Sequence, residues 1–242
     1  MAHDSGRRRV VVLAPMPLEM HAITTAFGLN PTGDRHKDPW TGTVGDSDVT
    51  AIHIGMGPPL TRAATERLFT AGAAPDHVMN AGICGGVDPD LPVGTLLNPE
   101  IVIDHTSGRE YHHRPPGDEP RAGKLMTTEG VHLDEELSRR FFAQGCLAVD
   151  MESAAVAEVC EAHGCDWSIY RCIGDRYFDG LLDERLLSMT KPDGSGDAEA
   201  IQRLLAAEPD LQAKLDQLTR DTTNAARLAA EAAVRGCRAL DA

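Results

Sequence analysis

Residues 146–175 read C-L-A-V-D-M-E-S-A-A-V-A-E-V-C-E-A-H-G-C-D-W-S-I-Y-R-C-I-G-D, and this stretch decides the fold. A short apolar run, 147–149, drops into Asp150-Met151-Glu152. An alanine-rich segment of helical character follows as far as Gly164, a residue suited to ending a helix in the left-handed conformation. A second apolar run, 167–173, closes on Gly174-Asp175. The alternation predicts strand, helix and strand, a βαβ unit with Glu152 and Asp175 at the carboxyl ends of its two strands. In an open α/β sheet that edge is where ligands bind. One carboxylate in the first turn of a helix can be a simple response to the helix dipole. Two acids at one edge, with Met151 beside one of them, point to a site.

Towards the amino terminus, residues 9–15 predict a buried parallel strand, and Pro17 opens a helix with apolar residues at Met20, Ile23 and Phe27. Glu19 falls in the first turn of that helix. Residues 40–44 and 48–54 predict a β-hairpin turning at Gly45-Asp46. Gly55-Met56-Gly57-Pro58-Pro59 then leads into a helix from about Leu60 to Ala71. Gly55-Met56-Gly57 lacks the third glycine and the downstream acid of a dinucleotide fingerprint, and Pro58 offers no N–H to a phosphate. Residues 77–81 predict another strand. The following Gly82-Ile83-Cys84-Gly85-Gly86 reads as a loop whose glycines allow close backbone approach to a ligand.

Residues 105–122 are polar and rich in Pro and Gly, which predicts a long loop, and 124–127 a short strand. His112 and His113 are adjacent and poorly placed to share a metal. Beyond Asp175 the expectation is a helical segment, R-Y-F-D-G-L-L-D-E-R-L-L, a loop at K-P-D-G-S-G-D, and a helix from about Ala198. A last helix should run from Pro209 to near Gly236. Its stripe of Leu211, Leu215, Leu218, Ala225, Ala229 and Ala232 is expected to pack on the sheet.

The chain has 242 residues, 42% of them hydrophobic, enough for one substantial core, and a single domain over 1–242 is expected. A net charge of −14 argues against a nucleic-acid partner, which would need clustered Lys and Arg. No apolar run approaches the roughly 20 residues that span a bilayer, so no membrane partner is expected. Six cysteines show neither C-x-x-C nor zinc-ligand spacing, which suits reduced thiols in a cytoplasmic protein.

Three segments carry a family resemblance. A-V-D-M-E-S-A-A-V-A resembles the ribose-binding segment of the purine nucleosidase and nucleoside phosphorylase superfamily, which reads V-E-M-E in methylthioadenosine/S-adenosylhomocysteine nucleosidases. Y-R-C-I-G-D is similar to the family's R-x-I-S-D strand, and V-L-A-P-M-P-L-E-M to its opening strand and G-A-M-E-E-E. The middle region, L-M-T-T-E-G-V leading to A-V-D-M-E-S, is closer to adenosylhopane-type nucleosidases. The resemblance spans about residues 9–175. It implies a three-layer nucleoside-phosphorylase-like α/β fold, with a mixed, largely parallel central sheet flanked by helices.

It also implies roles. Asp175 becomes the general acid that protonates the leaving purine, Glu19 the general base that activates water, and Arg171 the group that orients the water or Glu19. Glu152 would bind the ribose hydroxyls and Met151 pack on the sugar. Met16, Gly57, Ile83, Cys84, Gly85, Val131 and His132 would complete the substrate site, with no metal and no organic cofactor. The 105–122 segment would help close the site, sometimes across a dimer interface, so a homodimer is expected.

Departures from the family pattern are as informative. Ile83 replaces a hydroxyl residue near the attacking water or phosphate, Gly174 a serine that supports the catalytic Asp, and Val131 an aromatic that stacks on the base. The phosphate-binding G-D-P-x-R turn of the phosphorylases is absent, since A-P-M-P-L-E stands there. Hydrolysis of the N-glycosidic bond of a purine nucleoside, adenosine-type and carrying a modified 5′ position, is therefore expected. Phosphorolysis to base and ribose 1-phosphate, or a non-catalytic nucleoside-binding or storage protein, are the alternatives.

Overall fold

The computed structural model describes residues 6–117, 120–131, 133–181, 183–191 and 193–241. In chain order the elements are β1 (Arg8–Ala14), α1 (Pro17–Phe27), β2 (Asn30–Pro31), β3 (Trp40–Val44), β4 (Ser47–His53), α2 (Pro58–Thr70), β5 (His77–Gly86), β6 (Leu96–Leu97), β7 (Ile101–Asp104), β8 (Glu110–His112) and β9 (Lys124–Thr127). They continue with α3 (Glu135–Ala143), β10 (Cys146–Asp150), α4 (Ser153–His163), β11 (Asp166–Arg176), α5 (Glu184–Leu187), α6 (Ala198–Ala207) and α7 (Leu211–Ala239).

All the strands join one mixed sheet, in the order β2-β3-β4-β1-β5-β10-β9-β7-β8, with β11 and β6 attached through β5. Its longest ladders, β1 with β4 and β5 with β11, are parallel. Alternation along β1 sends Val10, Val12 and Ala14 to one face and Leu13 to the other, as a pleated strand must. The first face packs against α1 and the carboxyl half of α7 through Met20, Ile23, Phe27, Ala230, Ala233 and Val234. The second packs against α2 and α4 through Ala64, Leu68, Ala154, Val156, Ala157 and Cys160. The result is three layers, helix, sheet and helix, as expected. Among the described residues no helix is long and apolar enough to cross a membrane.

Several local expectations are corrected. The strands flanking α4 do not form a parallel βαβ unit. β10 pairs antiparallel with the end of β5 while β11 pairs parallel with it, so β10 and β11 lie on opposite sides of β5 and point in opposite directions. The 82–86 segment is not a loop but the second half of β5. A Cβ on Gly82 would collide with the Glu19 carboxylate and the Arg171 guanidinium, so glycine is there to admit two side chains.

The 105–122 loop contains β8 and the buried His113, whose ring bonds the Pro99 carbonyl (2.9 Å) and accepts the Ile169 N–H (3.0 Å). Burial lowers its pKa to about 4, which keeps the ring neutral. The helical segment after Asp175 shrinks to α5, and α2 starts at Pro58 rather than 60. Gly236 does not end the last helix, which continues to Ala239. A Cβ there would collide with the Tyr170 ring, so this glycine serves helix-to-strand packing. The amino-terminal half of the α7 stripe does not join the sheet core: Leu215 and Leu218 are only half-buried, and Leu218 faces a cavity.

Candidate active site

A cavity of about 440 Å³ opens over the second half of β5. Its wall holds four carboxylates, Glu19, Asp150, Glu152 and Asp175, among mostly apolar side chains. Each acid reaches it from a different junction. Pro17 fixes the start of α1, and Glu19 in the first turn bends back so that Oε2 accepts the Met16 N–H at 2.8 Å. Asp150 ends β10 and Glu152 precedes α4. Asp175 follows a bulge in β11 and lies in register with Gly85. The reversed direction of β10 is what brings Glu152 level with Arg171 rather than with Asp175.

Behind this wall Arg171 is fully buried and does not itself line the cavity. Its Nε donates to Asp150 Oδ2 (2.9 Å), Nη2 to Glu152 Oε2 (2.8 Å) and Nη1 to the Ile83 carbonyl (3.2 Å). Burial alone would drive its pKa down, but Asp150, Glu152 and Glu19 outweigh that and hold the guanidinium charged. Of the two roles expected for Arg171, orienting the water or orienting Glu19, its position 3.6 Å from Glu19 behind the wall fits the second. Arg171 touches the acids, and any effect on water passes through them.

Asp150 is itself tied down, accepting Thr127 Oγ1 at 2.7 Å and both the N–H and the hydroxyl of Ser153. Glu152 Oε1 accepts the Gly57 N–H at 2.9 Å. Gly57 thus backs an acid, with φ of 94° that only glycine tolerates readily, while its neighbour Met56 lines the cavity.

Three acids have shifted basicity. Burial raises Glu19 to about 7, with Arg171 opposing the shift and Glu152 adding to it. Burial and the nearby Asp179 raise Asp175 to about 6, and the surface that Asp175 still exposes faces the cavity. Glu152 is also raised by burial, against the pull of Arg171. Burial raises the Cys84 thiol too, which makes it an apolar lining group rather than a thiolate.

Of the other residues singled out from the sequence, Met16, Ile83, Gly85, Val131 and Met151 line the same cavity. His132 lies outside the described residues. Among the described residues none of the 105–122 segment reaches the cavity of its own chain. Sequence reasoning missed Asp150, whose signal was the buried arginine's need for partners. It also missed Ser138, Tyr177, Leu187, Thr190, Leu218 and Thr222, which arrive from distant elements and carry no local signature.

A cavity lined by four acids, three of them around a buried arginine, on a three-layer α/β frame, is the design of an enzyme acting on small molecules. The chain belongs to the phosphorylase superfamily, whose model matches residues 9–123 and 117–231. Among curated relatives, the 5′-methylthioadenosine/S-adenosylhomocysteine nucleosidase of Chromohalobacter salexigens is 24% identical over 200 residues, covering 69% of this chain and 84% of the relative. Two solved structures share the fold. The S-adenosylhomocysteine nucleosidase of Streptococcus pyogenes, in complex with 5-methylthiotubericidin, superposes with a TM-score of 0.70 at 16% identity over 97% of this chain and 98% of its own. The futalosine hydrolase of Helicobacter pylori gives 0.69 at 15% identity over 98% and 99%.

Proposed function

We propose that the protein hydrolyses the N-glycosidic bond of a purine nucleoside of the adenosine type, modified at the 5′ position, to free base and free sugar. The observation that carries this reading is the placement of Glu19 and Asp175, both with raised pKa, on one cavity wall with Glu152, which Arg171 backs from behind. Asp175 protonates the purine as the bond from C1′ to the base breaks and its electron pair moves onto the ring. Glu19 takes a proton from the water that attacks C1′. Glu152 has one bond on each oxygen, so a carboxylate with about four acceptor positions still has room for two ribose hydroxyls. Its charge favours the oxocarbenium-like sugar. Met151 packs against the ribose, and Arg171 is a positioning residue.

Phosphorolysis is disfavoured by the same wall. A phosphate would enter among four carboxylates, and the one described cation on the lining, Arg176, is bound through both Nε and Nη2 to Asp179. The homodimer expected from the family resemblance belongs to this proposal, since the described residues of the 105–122 segment do not line the cavity of their own chain. Mass measurement by light scattering tests it.

The deciding experiment incubates the protein with adenosine, methylthioadenosine and S-adenosylhomocysteine, with and without phosphate. Free adenine with free sugar is expected in both conditions. Sugar phosphate would replace the proposal by phosphorolysis, and no turnover of any nucleoside would leave a binding protein.

A further inference from the structure

We propose that Tyr177 is the aromatic platform for the leaving base, a role that rests on the nucleosidase reading. The segment expected to supply that surface does not do so within the described residues: Gly130 carries no side chain, and Val131 is 44% exposed. Tyr177 is the one aromatic among the described lining residues.

Its position is tied to the acid that would protonate the base. Asp175 lies in register with Gly85, and Tyr177, two residues on, donates its N–H to the Gly86 carbonyl. The ring is not loose. It packs against the buried cluster of Val87, Ile103, Met126, Phe141 and Cys146, and the Phe178 ring meets it edge-on at 4.9 Å between centroids. Arg176 lies over the Phe178 ring at 4.6 Å, which holds that second aromatic in place. An aromatic wall fixed from behind, two residues from a general acid, offers a purine stacking or edge contact at little conformational cost. Val87 and Val149 belong to the same cluster and also line the cavity, so the base would lie against one continuous apolar surface.

The test measures Kd for free adenine and free hypoxanthine by equilibrium dialysis, together with kcat and KM on the preferred nucleoside. Tyr177→Leu should weaken base binding about 5- to 100-fold, the range seen when a base loses its aromatic partner. KM should rise by a similar factor while kcat stays within about threefold. Tyr177→Phe should keep wild-type values, because the ring and not the hydroxyl is the contact. In Tyr177→Trp, adenine should quench the added indole emission, a readout that does not depend on the leucine variant folding. Unchanged base affinity in a folded Tyr177→Leu, or unquenched emission in Tyr177→Trp, would overturn the proposal while leaving hydrolysis intact. A wild-type protein that hydrolyses nucleosides but binds neither base would also overturn it. If the wild type does neither, the nucleosidase reading falls with it.

Discussion

Glu19 Oε1 lies 3.6 Å from Arg171 Nη1, within Coulombic reach but beyond hydrogen-bonding distance, and takes its hydrogen bond from the Ile83 N–H at 2.7 Å instead. The separation matters for catalysis. A carboxylate held in a close two-point ion pair with arginine has its pKa driven down by one to three units and makes a poor base. Here burial wins over the arginine, and Glu19 titrates near 7. Arg171 spends its short contacts on Asp150 and Glu152, which leaves Glu19 basic and still anchored.

The pH dependence of kcat/KM follows from this arrangement. Activity requires Glu19 without its proton and Asp175 with one, and their pKa values lie at about 7 and about 6. The profile should be a bell centred near about 6.5, falling roughly tenfold per unit outside the two values. Because the base has the higher pKa, the working form is a minority species even at the optimum. Asp175→Asn should remove the alkaline decline, so that its residual activity rises through about 7 to a plateau. A residual profile that still falls above pH 7 would take Asp175 out of the acid role.

Asp175→Asn should also separate catalysis from stability. Turnover should drop by at least the roughly 100-fold expected for a lost general acid. The folded pKa is raised from 3.8 to about 6, so the ionised form is penalised in the folded state. That penalty is complete above about pH 6 and vanishes as pH falls below the unfolded value. Replacement by Asn should therefore stabilise the protein by about 1–2 kcal/mol at pH 8, discounted for partial exposure, and by little at pH 4. Thermal melts at the two pH values check the sign, and equal shifts at both would refute it.

Arg171→Met should leave three buried carboxylates facing one another. Removing one member of a buried ion cluster costs about 3–5 kcal/mol because the remaining charges lose compensation. Without the arginine, Glu19 and Glu152, already raised by burial, should lose the positive charge that opposes that rise. The loss should then be largest at pH 8 and shrink as the pH drops to 5 and the acids take up protons. Chemical denaturation at several pH values measures this. A loss that does not vary with pH would mean that packing, not charge, is what Arg171 supplies.

What could be read from the sequence divides along the reach of the signal. Glu19, in the first turn of α1, and Asp175, near the end of β11, carry local patterns, and both line the cavity. The glycines at 82–86 were legible as a place of close approach, but not as strand. The atoms that occupy the missing Cβ space at Gly82 come from α1 and β11, far away in the chain. The direction of β10 was invisible for a similar reason, since a strand of five residues carries no record of which neighbour it pairs with. Asp150 was adjacent to two residues already singled out, yet its role depends on Arg171, 21 residues later. Leu218 looked like part of a sheet-packing stripe, and Thr222 carried no signal at all. Only tertiary placement shows that this half of α7 turns towards the cavity.

The last prediction concerns the 5′ position of the substrate. Besides the acids and Tyr177, the cavity lining includes the apolar Met16, Met56, Leu187 and Leu218, together with Thr190 and Thr222. Thr222 Oγ1 donates to the Leu218 carbonyl at 2.7 Å, so its hydroxyl is engaged within its own helix. Ile83 adds further apolar surface where a hydroxyl residue was the family expectation. A free 5′ hydroxyl placed against this wall without a partner costs about 1–3 kcal/mol. That corresponds to a preference of roughly ten- to two-hundred-fold for a nucleoside whose 5′ substituent is apolar or bulky. The measurement is kcat/KM over a series of adenosine derivatives that differ only at the 5′ position. Values should climb from adenosine to the 5′-alkylthio compounds, and Leu218→Asn should flatten the series by giving the hydroxyl a partner. Equal or better turnover of plain adenosine by the wild-type protein would show that this wall does not select the 5′ group.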